Sequence, residues 1–211
     1  MNPTHILLIG ATGPTGKNVL NFALEKNYQV TALVRDASRL KIQHHNLKII
    51  IGDVLDSTSV EKAVSGNEAV ISTLGVGNSL KSNDLIFNGV KNLVPAMQKA
   101  GAKRLIFLSA FGVGPTFPQS SFIQKLGFKI MLKDIYRDKI NADAHIRQSN
   151  LDYTLVCPVK LTNGPLTKKY RAAEKFEMSG FPSISRADVA HFMVGQLTDD
   201  KFIRKTVILK H

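Results

Sequence analysis

Cysteine is nearly missing from this sequence: Cys157 stands alone among 211 residues. A single thiol excludes an intramolecular disulfide and suits a reducing compartment, so the expected location is the cytoplasm. Its place in the apolar run from Tyr153 to Pro158 reads as a buried structural thiol rather than a nucleophile. Long hydrophobic runs are missing too. No stretch approaches the ~20 apolar residues that span a bilayer, and the first residues lack the basic flank of a leader, so no membrane role is expected. The six histidines are scattered, with His44 and His45 adjacent and therefore pointing to opposite faces of any strand. No zinc-ligand spacing results, and no metal is expected. Repeats, low-complexity tracts and an obvious linker are absent, which favours one domain over residues 1–211.

Negative charge is scarce relative to positive. Lys and Arg number 28 against 16 Asp and Glu, a net charge of +12. Such a field attracts polyanions. The basic residues are spread along the chain, however, and Lys125, Lys129 and Lys133 recur every four residues as one solvated helix stripe. With no reading helix or base-stacking set, nucleic acid is not the expected partner. The charge suits an anionic small molecule.

What is present is alternation. Ile6 to Ile9, Gln29 to Val34, Leu47 to Ile51, Ala69 to Leu74, Leu105 to Leu108 and Tyr153 to Cys157 read as strands. Between them lie amphipathic helical patterns: Asn18 to Lys26 with Asn27 as a left-handed stop, Ser59 to Val64, Leu85 to Ala100 closed by Gly101, and Ile135 to Gln148. Strand–helix alternation argues for a mostly parallel, doubly wound α/β sheet of six to seven strands with helices on both faces. The last third differs. Short strand-like pieces lie between Lys168 and Ser185, broken by Gly180 and Pro182. Ser185 to Asp188 resembles a capping box opening a helix, and Val207 to Leu209 reads as a final edge strand. Residues 111–128 and 160–185 are the expected substrate cover.

The sequence Gly10-Ala11-Thr12-Gly13-Pro14-Thr15-Gly16 directly follows the first strand and opens the first helix. Gly10 permits the tight turn, Gly13 lets a pyrophosphate approach the backbone, and Gly16 lets the helix pack closely on the sheet. Unpaired amides of the helix's first turn would face the phosphates, with Thr12 and Thr15 as added donors beside Pro14. At the end of the second strand, Arg35 and Arg39 can clamp a ribose 2′-phosphate and Ser38 can add a hydrogen bond, so NADP(H) is expected rather than NAD(H). Asp36 turning inward to a ribose 2′-hydroxyl is the open alternative.

GATGxTG at this position resembles the extended and atypical branches of the short-chain dehydrogenase/reductase superfamily. Val34-Arg35-Asp36, Gly52-Asp53-Val54, Leu74-Gly75-Val76, Ser109-Ala110-Phe111 and Ser185 to Asp188 extend the similarity over nearly the whole chain. Within that branch the sequence is most similar to the NAD(P)H-binding, NmrA-like subfamily that includes biliverdin-IXβ reductase, also called flavin reductase. The resemblance implies a Rossmann-type domain in which Asp53 and Val54 meet the adenine, although Asp53 can equally cap the next turn. It implies that Leu74, Gly75, Val76, Ala110, Phe111, Pro158 and Val159 line the dinucleotide site.

The resemblance also makes Ser109 the counterpart of the superfamily's catalytic serine, the alternative being a plain strand-end serine. The usual Tyr-x-x-x-Lys is replaced by Tyr136-Arg137-Asp138-Lys139, one residue short. At 100° per residue, Tyr136 lies ~60° from Lys139 instead of ~40° on the other side, and Ile135 takes the expected tyrosine position. Lys139 therefore stands with Ser109 as a catalytic candidate, while Tyr136 is expected near Lys139 but misdirected. Phe111, Phe117 and Phe122 can offer faces to an aromatic substrate or serve as ordinary packing. The implied activity is NADPH-dependent reduction of a planar, conjugated acceptor such as a flavin or related pigment. Dinucleotide sensing with little turnover is the alternative, and an epimerase or dehydratase activity is a further one. Monomer and homodimer are both open.

Overall fold

The computed structural model describes residues 3–77, 79, 81–120, 132–178 and 180–211. Alternate residues of the first strand, β1 (His5–Ile9), face opposite sides, and both sides are apolar. Such a strand is stable only in the middle of a sheet covered on both faces. It pairs in parallel with β2 (Gln29–Val34) on one side and β4 (Ala69–Ser72) on the other, with Ile6 opposite both Val30 and Ala69. From β2 the sheet continues to β3 (Leu47–Ile51). From β4 it runs through β5 (Arg104–Leu108), β6 (Asp152–Pro158), β10 (Lys205–Lys210) and β8 (Arg171–Ala173), giving the order β3-β2-β1-β4-β5-β6-β10-β8. All pairings are parallel except β8 with β10.

Two cores follow from the alternation. Ile6, Leu8, Ile71, Ile106 and Val156 pack with α1 (Pro14–Glu25) and α5 (Arg186–Gly195). Leu7, Ile9, Val70, Leu105, Phe107 and Leu155 pack on the opposite face, with α2 (Ser57–Val64), α3 (Leu85–Ala100) and α4 (Lys133–Gln148). Each fully buried Leu or Ile contributes roughly 1.5–3 kcal/mol over an exposed one, so both faces carry a large share of the stability.

The doubly wound α/β architecture agrees with the sequence reading, with two corrections. The main sheet has eight strands rather than six or seven. Strand β10 is not an edge, because β8 adds outside it. Residues 160–185 supply β8 and a two-stranded parallel sheet of β7 (Lys160–Thr162) and β9 (Ser183–Ser185). Of residues 111–128, the described part includes a 3₁₀ turn over Gly114–Gln119. Phe122, Lys125 and Lys129 lie outside the described residues.

Local chemistry sets the helix ends that matter for the site. Helix α1 starts at Pro14 rather than Asn18, since proline's fixed φ suits a first helical position. Asn27 does adopt a left-handed φ of 61° behind it. Helix α3 begins after Asp84, which has φ 53° and makes no side-chain cap. Its first amides are capped from α4 instead: Asp138, fully buried, accepts from Ile86 N–H at 3.0 Å and Phe87 N–H at 2.7 Å. One turn earlier, Asp134 accepts from Ser82 N–H at 2.6 Å. The two acids fix the segment leading into α3 against α4, and that segment walls the cavity described next.

Candidate active site

At the carboxyl ends of β1, β2, β4, β5 and β6 lies a cavity of about 1250 Å³. Single-ligand sites usually measure ~300–1,000 Å³, so this one has room for a dinucleotide and a second molecule.

Its floor is the glycine loop. Gly10 has φ +83°, and a Cβ there would sit within 2.9 Å of the Thr73 backbone. Thr73 clamps the turn by donating through Oγ1 to the Ile9 and Gly10 carbonyls, both at 3.2 Å. At Gly16 a Cβ would lie 2.0 Å from the Gly10 carbonyl oxygen, which is why the helix can start so close to the strand. Gly13 differs. Its φ of −76° suits any residue, and a Cβ would meet only the Gly10 oxygen, at 3.3 Å. The protein itself therefore does not demand glycine at 13; the space beside it is left for something else. Gly13 is the N-cap of α1, with no side-chain cap and no acid in the first turn. That arrangement leaves a positive helix end facing the cavity. Thr12, Pro14 and Thr15 also line it.

At the β2 end the cavity meets Arg35 and Arg39. Ser38, expected beside them, is not among the lining residues. Its N–H and hydroxyl both donate to the Asp36 carboxylate, at 3.0 and 2.7 Å. The same bonds, hydroxyl first, hold the Asp36 carboxyl below its ordinary range, and Asp36 faces solvent rather than the cavity. Asp53 lines the cavity with Val54, and it also caps the turn by accepting from Leu55 N–H at 2.9 Å.

Leu74, Gly75 and Val76 form one wall and Pro158 and Val159 the opposite one, with Ser109, Ala110 and Phe111 between them at the end of β5. Ser109 is buried, and its hydroxyl donates to Asp143 at 2.8 Å. Lys139 donates to the Leu108 carbonyl at 3.0 Å. Burial pushes the Lys139 ammonium below its ordinary pKa, with Asp143 opposing. Tyr136 also lines the cavity, beside Ile135, so the short spacing does not remove it from the site. What the spacing changes is its aim: the hydroxyl donates to the Phe111 carbonyl at 2.8 Å, and burial raises the phenol's pKa.

Sequence reasoning missed several lining residues. Lys81, Lys160 and Arg186 join Arg35, Arg39 and Lys139, so six cations line the cavity against one carboxylate, Asp53, among the described residues. Phe181, 68% exposed, stands at the rim. Asp143 was missed as well; its position one turn after Lys139 was the only available signal. Cys157 is fully buried, and burial raises its thiol pKa, which fits the structural reading. No group of three or more His, Cys, Asp or Glu able to hold a metal occurs among the described residues. No described helix is long and apolar enough to cross a membrane.

The family model for NAD(P)H-binding proteins matches residues 10–200. The chain belongs to the NAD(P)H-binding family. Among solved structures it is similar to the oxidoreductase ylbE of Lactococcus lactis, with a TM-score of 0.83 and 29% identity over 97% of this chain and 90% of that one. It is also similar to the anaerobillin reductase ChuY of Escherichia coli O157:H7, with a TM-score of 0.82 and 26% identity over 98% and 96%. Among curated proteins it is 26% identical over 212 residues to the photosystem II assembly factor Ycf39 of Synechocystis. That match covers 96% of this chain but 61% of the relative, so the chain spans less than two thirds of that protein's length. The family assigns the dinucleotide, and the uncapped end of α1 and the open space at Gly13 fit its pyrophosphate.

Proposed function

We propose that this protein is an NADPH-dependent reductase of a planar, conjugated, anionic acceptor, a flavin or a related pigment. The observation that carries the reading is the cavity's extension past Ser109. There it is walled by Phe111, Ile135, Tyr136, Leu161 and Phe181, with Lys81, Lys160 and Arg186 around them. Flat apolar surface beside cations suits an aromatic body bearing acidic groups. The bound dinucleotide supplies a hydride; the chain's own residues orient, exclude water and handle charge. Arg35 and Arg39 would grip the ribose 2′-phosphate with planar guanidinium forks, and Asp36, tied to Ser38, offers NADH no equivalent. Lys139, anchored on the Leu108 carbonyl, keeps positive charge near Ser109. ChuY, a reductase by name, supports the class of reaction. The test is steady-state NADPH oxidation with riboflavin, FMN and a linear tetrapyrrole as acceptors. Absence of turnover with all three would overturn the reading.

A second reading, dinucleotide-dependent interaction with little turnover, is favoured by the Tyr136 hydroxyl's engagement with the Phe111 carbonyl and by the similarity to an assembly factor. Tight NADPH binding without oxidation in the same assay would select it.

A further inference from the structure

Three carboxylates, Asp138, Asp143 and Asp188, are fully buried. Two are well supplied with donors. Asp138 accepts two backbone N–H groups. Asp188 accepts from the Ser185 hydroxyl at 2.8 Å, from Thr167 and Lys168 N–H at 2.9 and 2.8 Å and from the Thr167 hydroxyl at 3.0 Å, and it meets His211 at 3.0 Å. The donors around Asp188 hold it in its charged form.

Asp143 is different. Its Oδ2 receives the Ser109 hydroxyl, and Arg147 stands 3.9 Å away, outside hydrogen-bond range. Its Oδ1 is buried with no hydrogen-bond partner. The groups facing it are few: Lys139 and Arg147 from its own helix, Ser109 from the end of β5, and the Cys157 thiol from β6. Lys139 spends a donor on the Leu108 carbonyl, and Arg147 donates to the Thr206 hydroxyl at 2.9 Å. A buried charge with an empty oxygen is costly; Lys139 and Arg147 offset part of that cost, and a proton on the carboxyl removes it. The acid most in need of a proton is thus the one bonded to the cavity's serine.

We propose that Asp143 is the proton reservoir of the reduction, acting through Ser109. The inference rests on the reductase reading. A conjugated acceptor that gains a hydride gains one negative charge and needs one proton. Once protonated, Asp143 can donate to the Ser109 oxygen across the same 2.8 Å contact, which frees the serine hydrogen to face the acceptor; the Ser109 O–H bond then breaks as a new N–H or O–H bond forms on the acceptor. Ser109 regains its proton from the Asp143 carboxyl, which is left as a carboxylate and is reprotonated from solvent between turnovers. Atoms and charge balance: one hydride and one proton reach the acceptor, and one proton enters from water. Asp143 does not line the cavity, so it is a positioning residue that works through the serine's hydroxyl. Tyr136, bonded to a carbonyl, is not needed for the transfer.

The first measurement uses the ligand-free protein. In ¹³C NMR of side-chain carboxyls, one aspartate should titrate at about 6, against an ordinary 3.8, because burial disfavours its charge. The signal should vanish in Asp143→Asn and move higher in Ser109→Ala, since the serine's bond favours the charged form. The second measurement is kcat against pH with NADPH and riboflavin. In the parent, kcat should fall as pH rises through the same region. Asp143→Asn should lose that limb and ~10²-fold in kcat at the acid end, with NADPH affinity unchanged, and Asp143→Glu should restore the limb. Parallel pH profiles in parent and Asp143→Asn, or no aspartate titrating above the ordinary range, would overturn the relay while leaving the reductase reading intact. A parent that oxidises no NADPH would sink that reading and the relay with it.

Discussion

Gly13 and Gly16 sit three residues apart in one loop, yet the fold itself requires glycine only at 16. At Gly13 the backbone is ordinary and a Cβ would touch one carbonyl oxygen at 3.3 Å. Gly13→Val should therefore fold. Restricting the unfolded chain stabilises by ~0.4–1 kcal/mol at best, and the poorer N-cap costs a similar amount, so the net change is small. Its branched side chain, however, occupies the space left for the pyrophosphate. At Gly16 a Cβ would lie 2.0 Å from backbone, so even Ala must displace the start of α1. Overpacking of this kind costs ~1–3 kcal/mol or more. The assay is thermal unfolding with and without NADPH. Ligand at a hundred times its Kd stabilises by ~2.7 kcal/mol, which in a chain of this size raises Tm by ~5–11 °C. The parent should show that rise. Gly13→Val should keep the parent's Tm without ligand and show no rise, whereas Gly16→Ala should start several degrees lower. A Gly13→Val protein with a full NADPH shift would refute the placement of the phosphates on this loop.

Other outcomes follow from the same geometry. Arg35→Ala should weaken NADPH binding at least ~10-fold and leave NADH almost untouched, since one charge-assisted bond is worth ~1.5–3 kcal/mol; calorimetric titration of both dinucleotides checks this. Tyr136→Phe removes a bond to the Phe111 carbonyl and no proton donor, so flavin reduction should stay within ~5-fold of the parent, and a hundredfold loss would restore a tyrosine acid. The raised pKa of Asp143, about 6, is a stability cost that is absent below the ordinary carboxylate range and grows as pH rises until it is complete above pH 6. Asp143→Asn should therefore raise Tm at pH 8 by relieving up to ~3 kcal/mol, and much less at pH 4. Asp188 works in the opposite sense. Burial disfavours its charge, but the bonds from Ser185, Lys168, Thr167 and His211 outweigh that and lower its pKa. Its support is present at neutral pH and lost in acid, so Asp188→Ala should lower Tm at pH 7 and converge with the parent as acid unfolding begins.

The parts legible in the sequence were those governed by short-range rules. The run Ile6 to Ile9 could only be a strand covered on both faces, and the glycine loop announced itself by lying between that strand and a helix. What was not legible depended on partners far along the chain. Short strand-like pieces were expected between Lys168 and Ser185, but the antiparallel pairing of Arg171 to Ala173 with β10 was not visible in the spacing. The bond from Ser38 to Asp36, two residues away, was likewise invisible at the level of spacing. Helical geometry placed Tyr136 near Lys139 but could not reveal the Phe111 carbonyl that takes its hydroxyl. Asp143 escaped notice because its significance is an absence of partners around one oxygen, and that exists only once the helix is packed.

The position of β10 also bears on how the chain is made. Among the described residues β8 has no sheet neighbour except β10, some thirty residues later in synthesis. While a ribosome is still adding residues up to 204, β1 to β6 can already assemble. β8 cannot. The β6 edge stays open over the same interval, an exposed template for a neighbouring nascent chain. Completion of Lys205–Lys210 closes that edge and fastens β8 in one step. The dinucleotide floor is thus built early, while the wall bearing Lys160, Phe181 and Arg186 is secured last, so a stalled chain could hold cofactor before it could enclose a substrate.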